Sequence, residues 1–206
     1  MEIEIRRSKR NKTITVNIER DGTINAVAPF DCSEETIKEE LLKREYLISK
    51  RIAKRKAVLK EYVNRTFVEG QSFLYMGESY NLTISDKAKK PLEIIDNRFV
   101  LSDKYVHKAK EVFVKYYKKH GLPYIKERVE CYSKLVGREP VSVRIMDLRS
   151  HWASCTPQKS VNFHWKCVMA KPMIIDCLIV HELTHLKYPQ HNRQFWDAVF
   201  SVMPNY

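Results

Sequence analysis

His181-Glu182-Leu183-Thr184-His185, with His191 six residues further on, brings together side chains whose joint chemistry is that of a hydrolytic zinc site. Residues four apart on a helix share a face, so His181 and His185 can direct imidazoles at one ion. Glu182 stands about 100° around the same helix, close enough to exchange protons with a water that a metal activates. Three protein ligands leave one position of a tetrahedral ion open, the arrangement of a catalytic rather than a structural zinc.

The residues around this motif fit such a site. Ile174, Ile175, Cys177, Leu178, Ile179 and Val180 precede it, an almost continuous apolar run that predicts a largely buried helix. Pro172 suits the first turn, where its missing N–H costs little. Polar groups on a buried helix need partners, and a metal supplies them. A helix continued to residue 191 would turn His191 about 240° from His185 and away from the ion. Pro189 prevents that continuation and biases Tyr188 out of the helical region. The resulting turn brings His191 back as the third ligand, and Phe195, Trp196, Val199 and Phe200 then begin a new amphipathic helix.

The chain has 206 residues, 44% of them hydrophobic and 30% charged, the balance of a soluble globular protein with room for one or two domains. No apolar stretch approaches the length of a membrane span, and the first residues lack the apolar core of a secretory signal. Cys32, Cys131, Cys155, Cys167 and Cys177 are scattered and odd in number, so reduced thiols and a cytoplasmic address are expected. The net charge of +12 gathers at residues 6–12, 50–56 and 108–119. It leaves open a weak association with nucleic acid, although no reading motif accompanies it and lysine-rich helix faces also serve solubility.

The active-site helix needs a frame, and the patterning predicts an α+β fold. Alternation over 13–19, an Asp21-Gly22 turn and a return over 23–28 predict a hairpin. A long helix follows from Ser33 to about Tyr62, with the stripe Ile37, Leu41, Ile48, Ile52 and Leu59. Two or three short strands are expected over 67–84, and a loop with Pro91 over 86–98 marks the domain boundary. Two domains result: 1–98, a β-hairpin, helix and β region, and 99–206, which holds the metal motif. Helices are expected over 103–120, closed by Gly121, and 123–135, closed by Gly137. Strands over 141–148 and 161–168 would form a small sheet flanking the active-site helix, with a cleft between strand edge and metal.

Three segments together carry a resemblance. His151-Trp152-Ala153-Ser154-Cys155-Thr156, Asn162-Phe163-His164-Trp165, and the motif helix with His191 and Phe195-Trp196 resemble the YgjP-like metal-dependent hydrolases, relatives of the WLM and SprT-type minimal zincin metallopeptidases. Ser8-Lys9-Arg10 and the hairpin after it are similar to that family too. The resemblance implies a zincin-like domain, zinc on His181, His185 and His191, and Glu182 as general base. Family members usually show Arg-Trp-Gly-Ser-Cys where this chain has His151-Trp152-Ala153-Ser154-Cys155, and Asn in place of His164. These departures fall in segments expected near the cleft, so they bear on substrate preference. His151, Trp152 and His164 are accordingly the expected substrate-binding residues.

The expected function is that of a zinc-dependent hydrolase, foremost a metallopeptidase acting on a peptide or protein. The first alternative is hydrolysis of nucleoside triphosphates, which zinc chemistry and basic charge would allow but for which five glycines and no P-loop offer no phosphate cradle. The second is a nucleic-acid-associated protein with a vestigial zinc site, against which the retained Glu182 argues. His151, His164, Arg149 and Tyr188 are candidates for the group that faces the developing oxyanion.

Overall fold

The computed structural model describes residues 4–9, 13–18, 24–50, 53, 66–148 and 151–206. The chain divides into two compact units, Met1–Arg65 and Thr66–Tyr206. The architecture is α+β, as expected, and the strands among the described residues form three small sheets.

In the amino-terminal unit, Thr15–Ile18 (β2) pairs antiparallel with Ile24–Pro29 (β3), Val16 facing Ala26. This is the predicted hairpin, and its Asp21-Gly22 turn lies outside the described residues. Glu4–Ser8 (β1), which no sequence pattern marks, runs parallel to β3 on the other side. Arg7 of the first basic cluster donates to the carbonyls of Phe30 and Cys32, so part of that charge is spent on holding the unit together. Ser33 caps Glu34–Lys43 (α1) by accepting from the Thr36 N–H at 3.2 Å. The single long helix expected here is interrupted at Arg44, whose φ of −104° and ψ of 2° leave the helical well. The Arg44 guanidinium donates to the carbonyl of Ile14 at 3.3 Å and to Glu40 at 3.2 Å. Helix resumes over residues 45–50, with Ile37 and Ile48 buried. Ile52 and Leu59 of the predicted stripe lie outside the described residues.

The second unit begins with Ser72–Tyr75 (β4), Glu78–Ser85 (β5), Leu92–Ile95 (β6) and Arg98–Ser102 (β7), in the sheet order β4-β5-β7-β6. Its two hairpins turn through Met76-Gly77, with φ of 51° and 84°, and Asp96-Asn97, with φ of 46° and 59°. Two consecutive positive φ values are the signature of the turn that matches strand twist, and Asp and Asn tolerate them better than other side chains do. Polar composition and Pro91 hide this second hairpin in the sequence, where a loop was expected. The predicted division at residue 98 would cut through this sheet. Phe73, Leu82 and Phe99 share one core with Phe113 and Tyr117 of the helix that follows, and the compact unit therefore begins at Thr66.

That helix, Ala109–Val136 (α2), runs unbroken for 28 residues after a 3-10 turn over Asp103–Lys108. The sequence predicted two helices parted at Gly121. Its buried residues fall at every fourth position: Ala109, Phe113, Tyr117, Gly121, Ile125, Val129 and Ser133. A stripe of period four drifts about 40° per step around the helix, so the two ends face different partners. Phe113 packs on Phe73 and Phe99 of the sheet, at ring distances of 4.4 Å and 5.0 Å. Further along, Arg128 reaches the active-site helix. Gly121 sits at the crossing, where an added Cβ would overlap Val168 Cγ2 and stand 3.3 Å from Ile145 Cδ1. Its role is close approach, and helix termination falls to Gly137 at φ 73°.

The remaining strands form the small flanking sheet, in the order β8-β10-β9: Ser142–Met146 (β8), Ala153–Cys155 (β9) and Ser160–His164 (β10). The last strand stops at His164, earlier than expected, because a 3-10 turn over Trp165–Met169 redirects the chain into Pro172–Thr184 (α3). Arg193–Val202 (α4) follows. The carboxylate of Asp176 on α3 is buried and accepts from Arg128 Nε at 2.9 Å, Arg128 Nη2 at 2.7 Å and the Tyr132 hydroxyl at 3.2 Å, tying α3 to α2. No helix of the described residues is long and apolar enough to cross a membrane.

Replacing Gly121 by alanine tests the crossing. On a surface helix this change stabilises by about 1 kcal/mol. Here overlap with the buried, branched Val168 is expected to reverse the sign and cost about 1–3 kcal/mol in urea unfolding. A stabilised variant would show that the crossing is loose.

Candidate metal centre

The three motif histidines converge. Nε2 of His181 and Nε2 of His191 lie 2.9 Å apart, and each of the three residues offers a ligand atom within 4.8 Å of the others. The convergence follows from local rules. His181 lies in the last turn of α3 and His185 caps its end, with Lys187 N–H and Tyr188 N–H both bonded to the Thr184 carbonyl. Pro189 ends this turn, as predicted. Asn192 then caps α4 by accepting from the Phe195 N–H at 3.0 Å, which fixes the backbone beside His191. Phe195, fully buried, lies beneath all three imidazoles at ring distances of 4.9, 4.6 and 4.7 Å. Trp196 stacks on His191 at 5.7 Å and 24°.

The electrostatics favour neutral, metal-ready rings. Burial, with neighbouring His185 and His191, pushes His181 down to about 4. Burial also lowers His185 from its ordinary value. Metal binds the neutral imidazole, so these shifts remove proton competition near neutral pH. Nδ1 of His185 lies 3.1 Å from the Tyr188 carbonyl, which can only accept. The proton is therefore on Nδ1, and the Nε2 lone pair is left for an ion. Three imidazoles with ligand atoms this close together are a donor set that suits a zinc ion.

Glu182 lines the same cleft as the three histidines. It is buried, and burial raises its carboxyl to about 7 against the opposing hydrogen bond from the Cys155 N–H. That bond comes from β9, an edge strand. The His164 N–H donates to the Trp152 carbonyl at 2.7 Å and the Thr156 N–H to Ser160 at 2.9 Å, so residues 152, 154 and 156 direct their backbone toward β10. Ala153 and Cys155 face the open edge. A cleft of about 600 Å³ lies there, walled by His151, Ser154, Cys155 and Lys159 on one side and by Glu182 and the three histidines on the other.

The other expected site residues fall as follows. His151 lines the cleft. Trp152 is 54% exposed and sits edge-on to His164 at 6.0 Å, outside the cleft wall. His164 is buried and does not line the cleft either. Its Nδ1 accepts from the Lys166 N–H at 3.1 Å, so Nε2 donates to Asp147 at 2.9 Å, and the ring caps the 3-10 turn that leads to α3. Tyr188 contributes its carbonyl to His185 while its ring packs beside Val180, Phe195 and Val199. Arg149 lies outside the described residues. Nothing in the sequence signals the Cys155 N–H or Tyr206, whose hydroxyl is 2.9 Å from Nδ1 of His181. The five cysteines form no disulfide.

No curated protein matches the sequence. Among solved structures, the metallopeptidase zymogen of Pyrococcus abyssi abylysin is similar at 23% identity over 39% of this chain and 80% of its own, with a TM-score of 0.37, a likeness too slight to argue from. The model of the YgjP-like metallopeptidase domain matches residues 12–206. That match takes in both strands of the first hairpin, the edge strand and every member of the histidine cluster, and the chain belongs to the YgjP-like metallopeptidase family.

Proposed function

We propose that this protein is a zinc-dependent peptidase in which Glu182 is the general base and an extended peptide lies along β9. The observation that supports this most is a buried carboxylate, raised toward neutrality, held by the edge strand itself on one side of the cleft and set beside three converging imidazoles. His181, His185 and His191 would hold the ion. Zinc, when bound, polarises a carbonyl and lowers the pKa of water toward 7.

The chain's own residues do the rest. Glu182 takes the proton of the attacking water and returns it to the leaving amine. The Cys155 N–H holds that carboxylate at the strand edge, so the base and the peptide share one reference frame. The backbone of Ala153 and the carbonyl of Cys155 face outward, where an added strand can pair with them. Of the four oxyanion candidates named from the sequence, His151 is the one among the described residues that lines the cleft, and we assign it that role.

Three measurements test this reading. Glu182→Gln is expected to keep zinc and lose about 10²–10⁴-fold in turnover of a mixed peptide pool. If that variant instead abolished phosphate release from nucleoside triphosphates, with no peptide cleavage by the parent protein, the peptidase reading would be replaced. His191→Ala should lose the thermal stabilisation by zinc, which amounts to about 2.7 kcal/mol at a hundredfold excess over Kd. An undiminished rise in melting temperature would remove His191 from the ligand set. His151→Ala should lower kcat by about 10–10³-fold with zinc retained, and unchanged kcat would return the oxyanion role to another group.

A further inference from the structure

Tyr206 belongs to no motif in the sequence, yet it meets the first ligand of the cluster. Its hydroxyl oxygen is 2.9 Å from Nδ1 of His181, and its ring lies 6.2 Å from the imidazole at an interplanar angle of 20°. Trp196 packs against it at 5.9 Å, and its N–H donates to the Met203 carbonyl at 3.1 Å, which sets the turn after α4. The hydroxyl is therefore placed by contacts independent of His181.

A neutral imidazole carries one proton and one lone pair, on different nitrogens. Nε2 of His181 faces Nε2 of His191, so Nε2 is the nitrogen on the ion's side, and with an ion held there the proton of the neutral ring belongs on Nδ1. A proton there needs an acceptor. For His185 the Tyr188 carbonyl serves. For His181 the partner is a phenol oxygen, behind the ring as seen from the cluster.

We propose that Tyr206 is a positioning residue for the metal. Its oxygen accepts the Nδ1 proton of His181, fixes the tautomer that presents Nε2 to the ion, and sets the tilt of the ring. The hydroxyl acts through His181 and touches no substrate. This inference rests on the reading that the three histidines hold zinc.

The test is zinc affinity, by chelator competition at one pH, in the parent protein and in Tyr206→Phe, Tyr206→Ala and His185→Ala. Phenylalanine keeps the ring contacts with His181 and Trp196 and removes only the acceptor. Positioning predicts that Tyr206→Phe weakens zinc about 10–100-fold and falls close to Tyr206→Ala. It also predicts that long-range proton–nitrogen spectra of the zinc-loaded protein show a His181 Nδ1 proton that exchanges faster in Tyr206→Phe. A Tyr206→Phe affinity within about twofold of the parent, below the effect such partners exert, overturns the inference and leaves the ring as packing alone. His185→Ala separates the two readings. If it binds zinc as tightly as the parent, or the parent binds none, the three-histidine centre itself falls and the Tyr206 role with it.

Discussion

Glu182, His181 and His185 sit on a helix whose other side chains are almost all apolar, and the second unit is organised around what that placement costs. A carboxylate taken out of water must find a donor, and imidazoles at van der Waals distance must settle which nitrogens carry protons. The donor for Glu182 comes from the Cys155 amide, so β9 supplies the partner that a buried carboxylate calls for. The acceptors come from the Tyr188 carbonyl and the Tyr206 hydroxyl, which require the turn at Pro189 and the chain after α4. The Asp176–Arg128 pair fixes the same helix to α2 from the opposite side. Each neighbour of α3 thus contributes one polar contact as well as apolar area, and together they leave little freedom in where the helix sits.

The cleft follows from the same contact. An edge strand presents alternate backbone groups to its sheet and to the open side. In β9 the open-side N–H of Cys155 is taken by the protein's own base, which leaves Ala153 and the next carbonyl for a partner strand. The exposed edge that in many proteins is a liability is here short and faces the histidine cluster.

What could be read from the residues alone was what depends on short spacing. The i, i+4 histidines, Pro172 at the helix start, the stop at Pro189 and the return of His191 are consequences of helix geometry within one segment, and each is found as expected. Misreadings arose where a residue's local habit was overridden by packing. Gly121 ends no helix, because its missing side chain is filled by Val168. Residues 92–102 form a hairpin despite their polarity, because Asp96 and Asn97 accept left-handed backbone and Leu92, Phe99 and Leu101 supply the buried face. His164 looked like a cleft residue from its place between strand and motif, whereas its ring nitrogens are used up by Lys166 and Asp147. Tyr206 was invisible, since nothing in its neighbours announces a hydrogen bond to a residue on another helix.

The asymmetry between ligands and base has a consequence for how the site assembles. All three histidines lie within the eleven residues from His181 to His191, so closing their loop costs little chain entropy. Glu182 depends on a strand that pairs with β10 and lies against α3, a set of non-local contacts formed at greater entropic expense. Capture of a metal and readiness of the base are thus separable events in folding. A chain that has formed the α3–α4 corner but not the edge strand holds the ligands together while its carboxylate remains in water.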